Sequence, residues 1–101
     1  MVDRRNVDDG FWDRADAHIN LANSACGTVA AGKVSASLLY AASRFNAFVV
    51  ASNSSSATDL RDRKGEALEY FTAEFRKMLE ENCDDYIEHF EKYVGRGRRD
   101  V

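Results

Sequence analysis

Apolar residues recur every three or four positions along most of the chain, which is the spacing that one face of an α-helix requires. In the first segment, about residues 9–29, the apolar positions are spaced 3, 4, 3, 4 and 3 residues apart: Trp12, Ala15, Ile19, Ala22, Cys26 and Val29. A polar stretch at 52–58 separates a second apolar segment from a third, and no proline interrupts either one. The pattern predicts three long helices.

The second helix, predicted over 35–52 with Ser35 as its N-cap, is the most apolar part of the chain. Arg44 is the only charged residue between Lys33 and Asp59. A helix that is apolar on most sides is usually buried between neighbours. We therefore expect this helix to pack against both others, and the main apolar stripe, including Leu38 and Phe45, to be nearly fully buried.

The third segment, about residues 59–94, is unusually long, and Thr58 or Asp59 is predicted to cap it. Its apolar face rotates near Asn82, where a kink or a new helix start would realign the face with the core. The chain is therefore predicted to be all-α, an up-and-down bundle of three long helices. The last is kinked or split near Asn82, which gives three to four helices.

A chain of 101 residues corresponds to one domain. We assign the helical domain to residues 8–94, between a disordered N-terminal tail at 1–7 and a basic, flexible C-terminal tail at 95–101. The net charge of −3 argues against a nucleic-acid binder. A weak contact to nucleic acid through the arginine-rich tail remains an alternative, although nucleic acid is an unlikely partner.

The sequence predicts a cytoplasmic protein with reduced thiols and no membrane contact. No apolar run follows the arginines near the N-terminus, as a secretory signal would require. The longest uninterrupted apolar stretch, 47–51, is too short to span a bilayer. Cys26 and Cys83 are too few for a disulfide framework or a closed zinc site, so we interpret both as apolar residues on packed faces.

No motif in the chain predicts a catalytic residue, a cofactor or a metal. Residues 27–34 approach a phosphate-binding loop, but Val34 stands where that loop needs Ser or Thr, and a helix rather than a strand precedes it. We interpret the segment as a glycine-containing turn between helices. His18 and His89 lack the spacing from the cysteines that a metal site needs.

Two polar residues, Arg44 and Asn46, interrupt the apolar second helix. Burying an unpaired charge is costly, so we expect Arg44 to pair with a carboxylate of the third segment. The alternative is an interhelical site in a small-ligand-binding protein or an enzyme. That site would be formed around Tyr40, Arg44 and Asn46, with His18 as a further contact.

Several stretches resemble a family of small proteobacterial proteins known as domain of unknown function 3144. The resemblance lies in residues 17–23, in 32–48 with its Tyr40-Ala41-Ala42 and Arg44-Phe45-Asn46-Ala47-Phe48 sequences, and in 70–71 and 78–82. It covers roughly residues 10–93. It implies a small helical bacterial protein, and because the family has no assigned biochemistry, it implies no functional residues.

Because no catalytic, cofactor-binding or metal-binding motif is recognisable, the sequence favours a non-catalytic protein-interaction or structural module with an unidentified protein partner. We also expect a homodimer. The long third segment would extend beyond the shorter helices, and its last apolar residues, among them Ile87 and Phe90, would need cover. A symmetric dimer would provide that cover.

Overall fold

The structure, a computed structural model, describes residues 7–95, and within that range the chain forms four helices and no strand. The helices are α1 (Phe11–Ala25), α2 (Ala31–Ser52), α3 (Ala57–Glu88) and the short α4 (Phe90–Tyr93). The predicted all-α class with three long helices is confirmed. A short turn at 53–56 joins α2 to α3, so these two helices form an antiparallel hairpin.

α1 is shorter than predicted at both ends, whereas α2 begins earlier than predicted and ends at Ser52 as predicted. Tighter turns follow Ala25, where the Gly27 and Thr28 amides donate to the carbonyls three residues back, Ser24 and Ala25, both at 3.2 Å. α2 begins at Ala31, four residues before Ser35, which was predicted to be the N-cap. Ala30 is the N-cap, and no side chain caps this end.

A capping pair formed by Ser56 and Asp59 starts α3. The Ser56 hydroxyl accepts a hydrogen bond from the Asp59 amide at 3.1 Å, and the Asp59 carboxylate accepts one from the Ser55 amide at 2.8 Å. The Ser55 N–H, with help from Arg63, holds the pKa of Asp59 below its ordinary value. The predicted cap, Thr58 or Asp59, lies two or three residues too late.

The break in the last helical segment lies at His89, and the prediction of a break near Asn82 is wrong. α3 runs through Asn82 to Glu88, and His89 (φ −118°, ψ 34°) separates it from α4. α3 has 32 residues against 22 in α2, so its last ten residues extend about 15 Å past the hairpin. Among the described helices α4 contacts α3 alone, so the rotation of the apolar face near Asn82 does not serve to pack this end against α1 or α2.

The three long helices do not close into a single-chain core. α2 contacts both α1 and α3, but no Cα atom of α1 lies within 8 Å of one in α3. Among the described residues, Val34 is the only buried hydrophobic side chain, at 8% exposure, whereas Leu38 is 40% and Phe45 65% exposed. The predicted burial of Leu38 and Phe45 is therefore wrong, because their side of α2 is covered at Val34, near the start of the helix, and not at these two positions.

Because α2 is exposed, its hydropathy becomes relevant to membrane contact. This helix of 22 residues is long and apolar enough to cross a membrane by length and composition. The core helix of a soluble protein passes the same test. The short apolar run at 47–51 is therefore not enough to exclude a membrane-spanning helix, and the absence of membrane contact stays a prediction.

Candidate partner-binding groove

An open groove of about 780 Å³ runs along the α2–α3 hairpin. Both helices contribute residues along much of their shared length, and most of these residues are apolar. The apolar lining consists of Leu39, Ala42, Ala47 and Val50 from α2 and Ala57, Leu60, Ala67, Leu68, Phe71 and Phe75 from α3. Five polar residues, Ser43, Asn46, Arg61, Lys64 and Thr72, complete it.

Small side chains facing large ones explain why the groove exists. On α2, Ala42 and Ala47 fall between Leu39 and Val50 at helical spacing, so the middle of this face carries little volume. On α3, Phe71 and Phe75 lie at the end of the groove towards Leu39. The result is an apolar groove that is open to solvent.

The four residues predicted as a site do not come together. Asn46 lines the groove, but Tyr40, Arg44 and His18 do not. Seen down the axis of α2, Tyr40 and Arg44 point about 120° and 160° away from Asn46. Tyr40 is 65% exposed, and both Arg44 and His18 are exposed. The described residues therefore contain no cavity shared by all four, and the predicted ligand site around them stays without structural support.

Arg44 forms no ion pair with any of residues 7–95, so the predicted pairing with a carboxylate of α3 is wrong. The physical reason is that Arg44 lies on the side of α2 away from α3. The guanidinium reaches water directly, which removes the desolvation cost that made a partner seem necessary.

Sequence reasoning missed two cations that line the groove, Arg61 and Lys64. Neither forms an ion pair within the described part of the chain, whereas the neighbouring Arg63 pairs with Asp59 at 3.2 Å. The sequence contained a signal for this difference. Neither Arg61 nor Lys64 has a carboxylate three or four residues away on either side, so neither can form the usual pair along one helix.

The remaining candidate sites carry no chemistry in residues 7–95. The segment resembling a phosphate loop divides into a turn after Cys26 and the first residues of α2, as predicted for an interhelical turn. No three His, Cys, Asp or Glu side chains in the described range are grouped to hold a metal ion. Cys26 and Cys83 are both free and exposed, so their predicted position on packed faces is wrong.

The two predicted tails fall almost entirely outside the described residues. This applies to the arginine-rich segment at 96–101, on which the nucleic-acid alternative depends, and to residues 1–6. At the near end of the N-terminal segment, Asp8 accepts a hydrogen bond from Arg14 at 2.8 Å, and this bond lowers the pKa of Asp8. Both side chains are exposed, and such surface pairs contribute little to stability.

Comparison with known proteins identifies the family. Residues 11–87 match the family described as "Protein of unknown function (DUF3144)". The chain belongs to this family. A similar structure is the "NMR structure of the protein NB7890A from Shewanella sp", which is 32% identical. The match covers 87% of this chain and 94% of that chain, with a TM-score of 0.71.

No curated protein matches the chain. The resemblance to the DUF3144 family noted in the sequence is thus confirmed, together with its all-helical fold and a bacterial relative. The family description assigns no activity. A function for this DUF3144 protein therefore has to be argued from the groove itself.

Proposed function

We propose that this protein is a non-catalytic interaction module whose α2–α3 groove binds an amphipathic helix. The observation that carries the proposal is the groove itself, an apolar channel of about 780 Å³ that runs along a helical hairpin. Helix-in-groove recognition uses apolar side chains at positions i, i+3, i+4 and i+7 of the bound helix. A channel parallel to two helices suits such a ridge of side chains.

The exposure of the apolar residues around the groove supports the same proposal. Leu68 is 58% and Phe75 47% exposed, and both line the groove. Soluble proteins rarely leave contiguous apolar patches uncovered, and large patches mark interaction sites. Covering this surface is worth about 25 cal/mol for each Å² of apolar area removed from water.

The groove lining also indicates what kind of interaction to expect. Its polar groups are hydroxyls, an amide, a guanidinium and an ammonium, with no His, Cys, Asp or Glu among them. A hydroxyl nucleophile paired with a His, Asp or Glu general base is therefore not part of this lining. Arg61 and Lys64 add positive charge, so the preferred helix carries carboxylates beside its apolar face.

A small amphipathic anion is the second candidate for the groove. The volume falls within the range of about 300–1,000 Å³ that is typical of ligand sites, and the two cations could hold a carboxylate or phosphate head group. We favour a helix because exposed apolar residues continue past the groove, to Leu79 and Ile87 on α3 and Phe90 on α4, which are all at least half exposed. A small molecule in the groove would leave those residues uncovered.

We further propose that the protein acts in the cytoplasm and that α2 does not cross a membrane. Arg44 lies near the middle of the helix, two residues before Asn46. An arginine at the centre of a spanning helix costs about 2.5–3.5 kcal/mol on insertion scales. A partner helix in the groove covers apolar surface of α2 without that cost.

Photo-crosslinking in the native cell tests the proposed function. A photoreactive phenylalanine replaces Leu68, which lines the groove, or Tyr70, which does not. The two positions are matched in exposure, at 58% and 61%. We expect the reagent at Leu68 to form a discrete covalent adduct with a protein and the reagent at Tyr70 to form none. If neither position, or both equally, gave protein adducts, the groove would not be the interaction site.

A further inference from the structure

The area that the chain exposes is the first sign of what fills the groove. The chain exposes 8530 Å², whereas a compact monomer of 11.3 kDa exposes roughly 5,700 Å². The excess stays at about 1,400 Å² even if all twelve residues outside 7–95 are counted as fully solvated chain. Stable dimers bury about 800 Å² or more on each partner, so the excess is large enough for a dimer interface.

The radius of the chain agrees with this comparison. The radius of gyration is 16.3 Å, against about 12.7 Å for a compact chain of this length. A compact body of twice the length would have a radius of about 16.5 Å. The chain is therefore more extended than a compact monomer of its length, as expected if part of its surface awaits a partner.

A continuous seam on α3 shows which surface a second copy would cover. Leu68, Phe75, Leu79 and Tyr86 follow one another at intervals of 7, 4 and 7 residues. This is the repeat by which one helix keeps a single side against a partner helix. The seam starts inside the groove at Leu68 and continues onto the overhang that α2 does not reach.

Two cations near the start of α3 lack an ion-pair partner within residues 7–95, and the far end of the helix is acidic, with only Arg76 and His89 near its carboxylates. Arg61 and Lys64, which lie in the groove, have no ion-pair partner there. The segment 79–88 contains five carboxylates and no Lys or Arg. Among these carboxylates, Asp85 points within about 60° of Lys64 when viewed down the helix. In an antiparallel pair of α3 helices, Arg61 and Lys64 of each copy lie near the acidic segment of the other.

Gly65 provides an independent sign of close approach on the same helix. Glycine inside a helix costs about 1 kcal/mol relative to alanine. A Cβ atom added at Gly65 would meet no heavy atom within 4 Å, so nothing in the described chain explains why a glycine stands there. It lies three residues before Leu68, at the next position of the seam. An antiparallel pairing brings it opposite the end of the partner helix that bears Tyr86.

We propose that the occupant of the groove is a second copy of this chain, bound through an antiparallel, two-fold pairing of the α3 helices. The seam residues of one copy enter the groove of the other, and α2 and α3 from both copies form a four-helix bundle. Arg61 and Lys64 of each copy face the acidic segment of the other. This inference rests on the proposed function, because it names the helix that the groove binds.

Charge exchange on α3 tests the pairing in the purified full chain. Variant A carries R61E and K64E, and variant B carries E81K and D85K. Sedimentation equilibrium should show the wild-type chain as a dimer at high micromolar concentration. Each variant alone should dimerise at least about tenfold more weakly, because like charges then face each other. An equimolar mixture should form an A–B heterodimer that recovers most of the wild-type affinity.

A third variant, E66K and D84K, is the matched control. It makes the same change in net charge as variant B, but both residues point about 160° away from Lys64, on the opposite side of α3. It should dimerise as the wild type does. Circular dichroism of every variant confirms that the helices remain, so that loss of association is not loss of fold.

A monomeric wild-type chain at high micromolar concentration would overturn the proposal, and so would a mixture of A and B that fails to associate. Dimerisation that is equally weakened in the control would also overturn it, since the effect would then follow from net charge alone. None of these outcomes would refute the proposed function itself, which the photo-crosslinking experiment tests separately. A monomeric chain whose groove still crosslinks to a different protein in cells would refute the second copy and support the groove.

Discussion

The rings of Tyr86 and Tyr93 lie 4.7 Å apart across the break at His89. His89 also meets Tyr93 edge to face at 6.1 Å. These aromatic contacts join α4 to the last turn of α3. They explain why the chain turns at His89 and remains helical beyond it.

The first prediction is that Tyr93→Ala releases α4 without unfolding the long helices. Aromatic pairs of this kind contribute about 0.5–1.5 kcal/mol. We expect faster amide hydrogen exchange at Tyr93 and Val94, whose amides bond to the His89 and Phe90 carbonyls. Exchange in the middle of α2 should be unchanged. Tyr93→Phe is the control and should retain most of the protection, and equal protection in the alanine variant would contradict the role of the ring.

The second prediction compares two positions on one side of α2, Val34 near the start of the helix and Phe45 in its second half. At dilutions where the chain is monomeric, Val34→Ala should cost about 1.5–2.5 kcal/mol, because Val34 is buried and loses two methyl groups. Phe45→Ala should cost about 0.5 kcal/mol or less, since Phe45 is 65% exposed. Chemical denaturation of both variants measures the difference. If the phenylalanine variant proved the more damaging, α1 would have to cover that face in solution.

These two positions show how far the sequence determines the structure. Helical spacing predicted α1, α2 and α3 because that spacing is a local property of each segment. The same spacing does not show which apolar face is covered by the same chain. Leu38 and Phe45 lie on as regular a stripe as any residue of a closed bundle, yet the helices diverge around them.

The candidate groove was harder to predict from the sequence, for the same reason. It depends on the distance between α2 and α3, which no local pattern records. Asn46 was found because it interrupts an apolar helix, whereas Arg61 and Lys64 lie in a segment rich in charge and do not stand out. Only the lack of a carboxylate three or four positions away distinguishes them from Arg63.

The third prediction concerns the dependence of stability on pH at the start of α3. The pKa of Asp59 is lowered in the folded chain by the Ser55 amide and by Arg63. The stabilisation is therefore present above the pKa of Asp59 in the unfolded chain, and it is lost as pH falls through the lower pKa of the folded chain. Asp59→Asn should remove this part of the acid-induced loss.

The measurement is a series of denaturant titrations from neutral pH down to the acid range. Asp62→Asn is the control, because Asp62 makes no hydrogen bond or ion pair in the described chain. It should keep the acid dependence of the parent chain. A parent and an Asp59→Asn variant with parallel pH profiles would show that the cap does not favour the ionised carboxylate.

The fourth prediction is that the protein fractionates with the soluble material of the native cell, although α2 is long and apolar enough to cross a membrane. The reason is the charge of Arg44 near the centre of the helix. Arg44→Leu should therefore increase the fraction recovered with membranes, whereas Arg63→Leu, on α3, should not. Recovery of the unaltered chain in membranes after a high-salt wash would contradict the cytoplasmic location.

The fifth prediction uses Gly65 to separate the chain's own stability from its association. In dilute solution Gly65→Ala should raise the free energy of unfolding by about 0.5–1 kcal/mol, because alanine favours the helix and its Cβ atom meets nothing within 4 Å. At concentrations where the dimer forms, the added methyl group occupies space that the partner helix needs. The dissociation constant measured by sedimentation should therefore rise.

The control is Gly32→Ala on α2, where the added atom is equally unobstructed and lies outside the seam. It should leave the dissociation constant unchanged. Equal association of the two glycine variants would show that α3 does not approach its partner at this point.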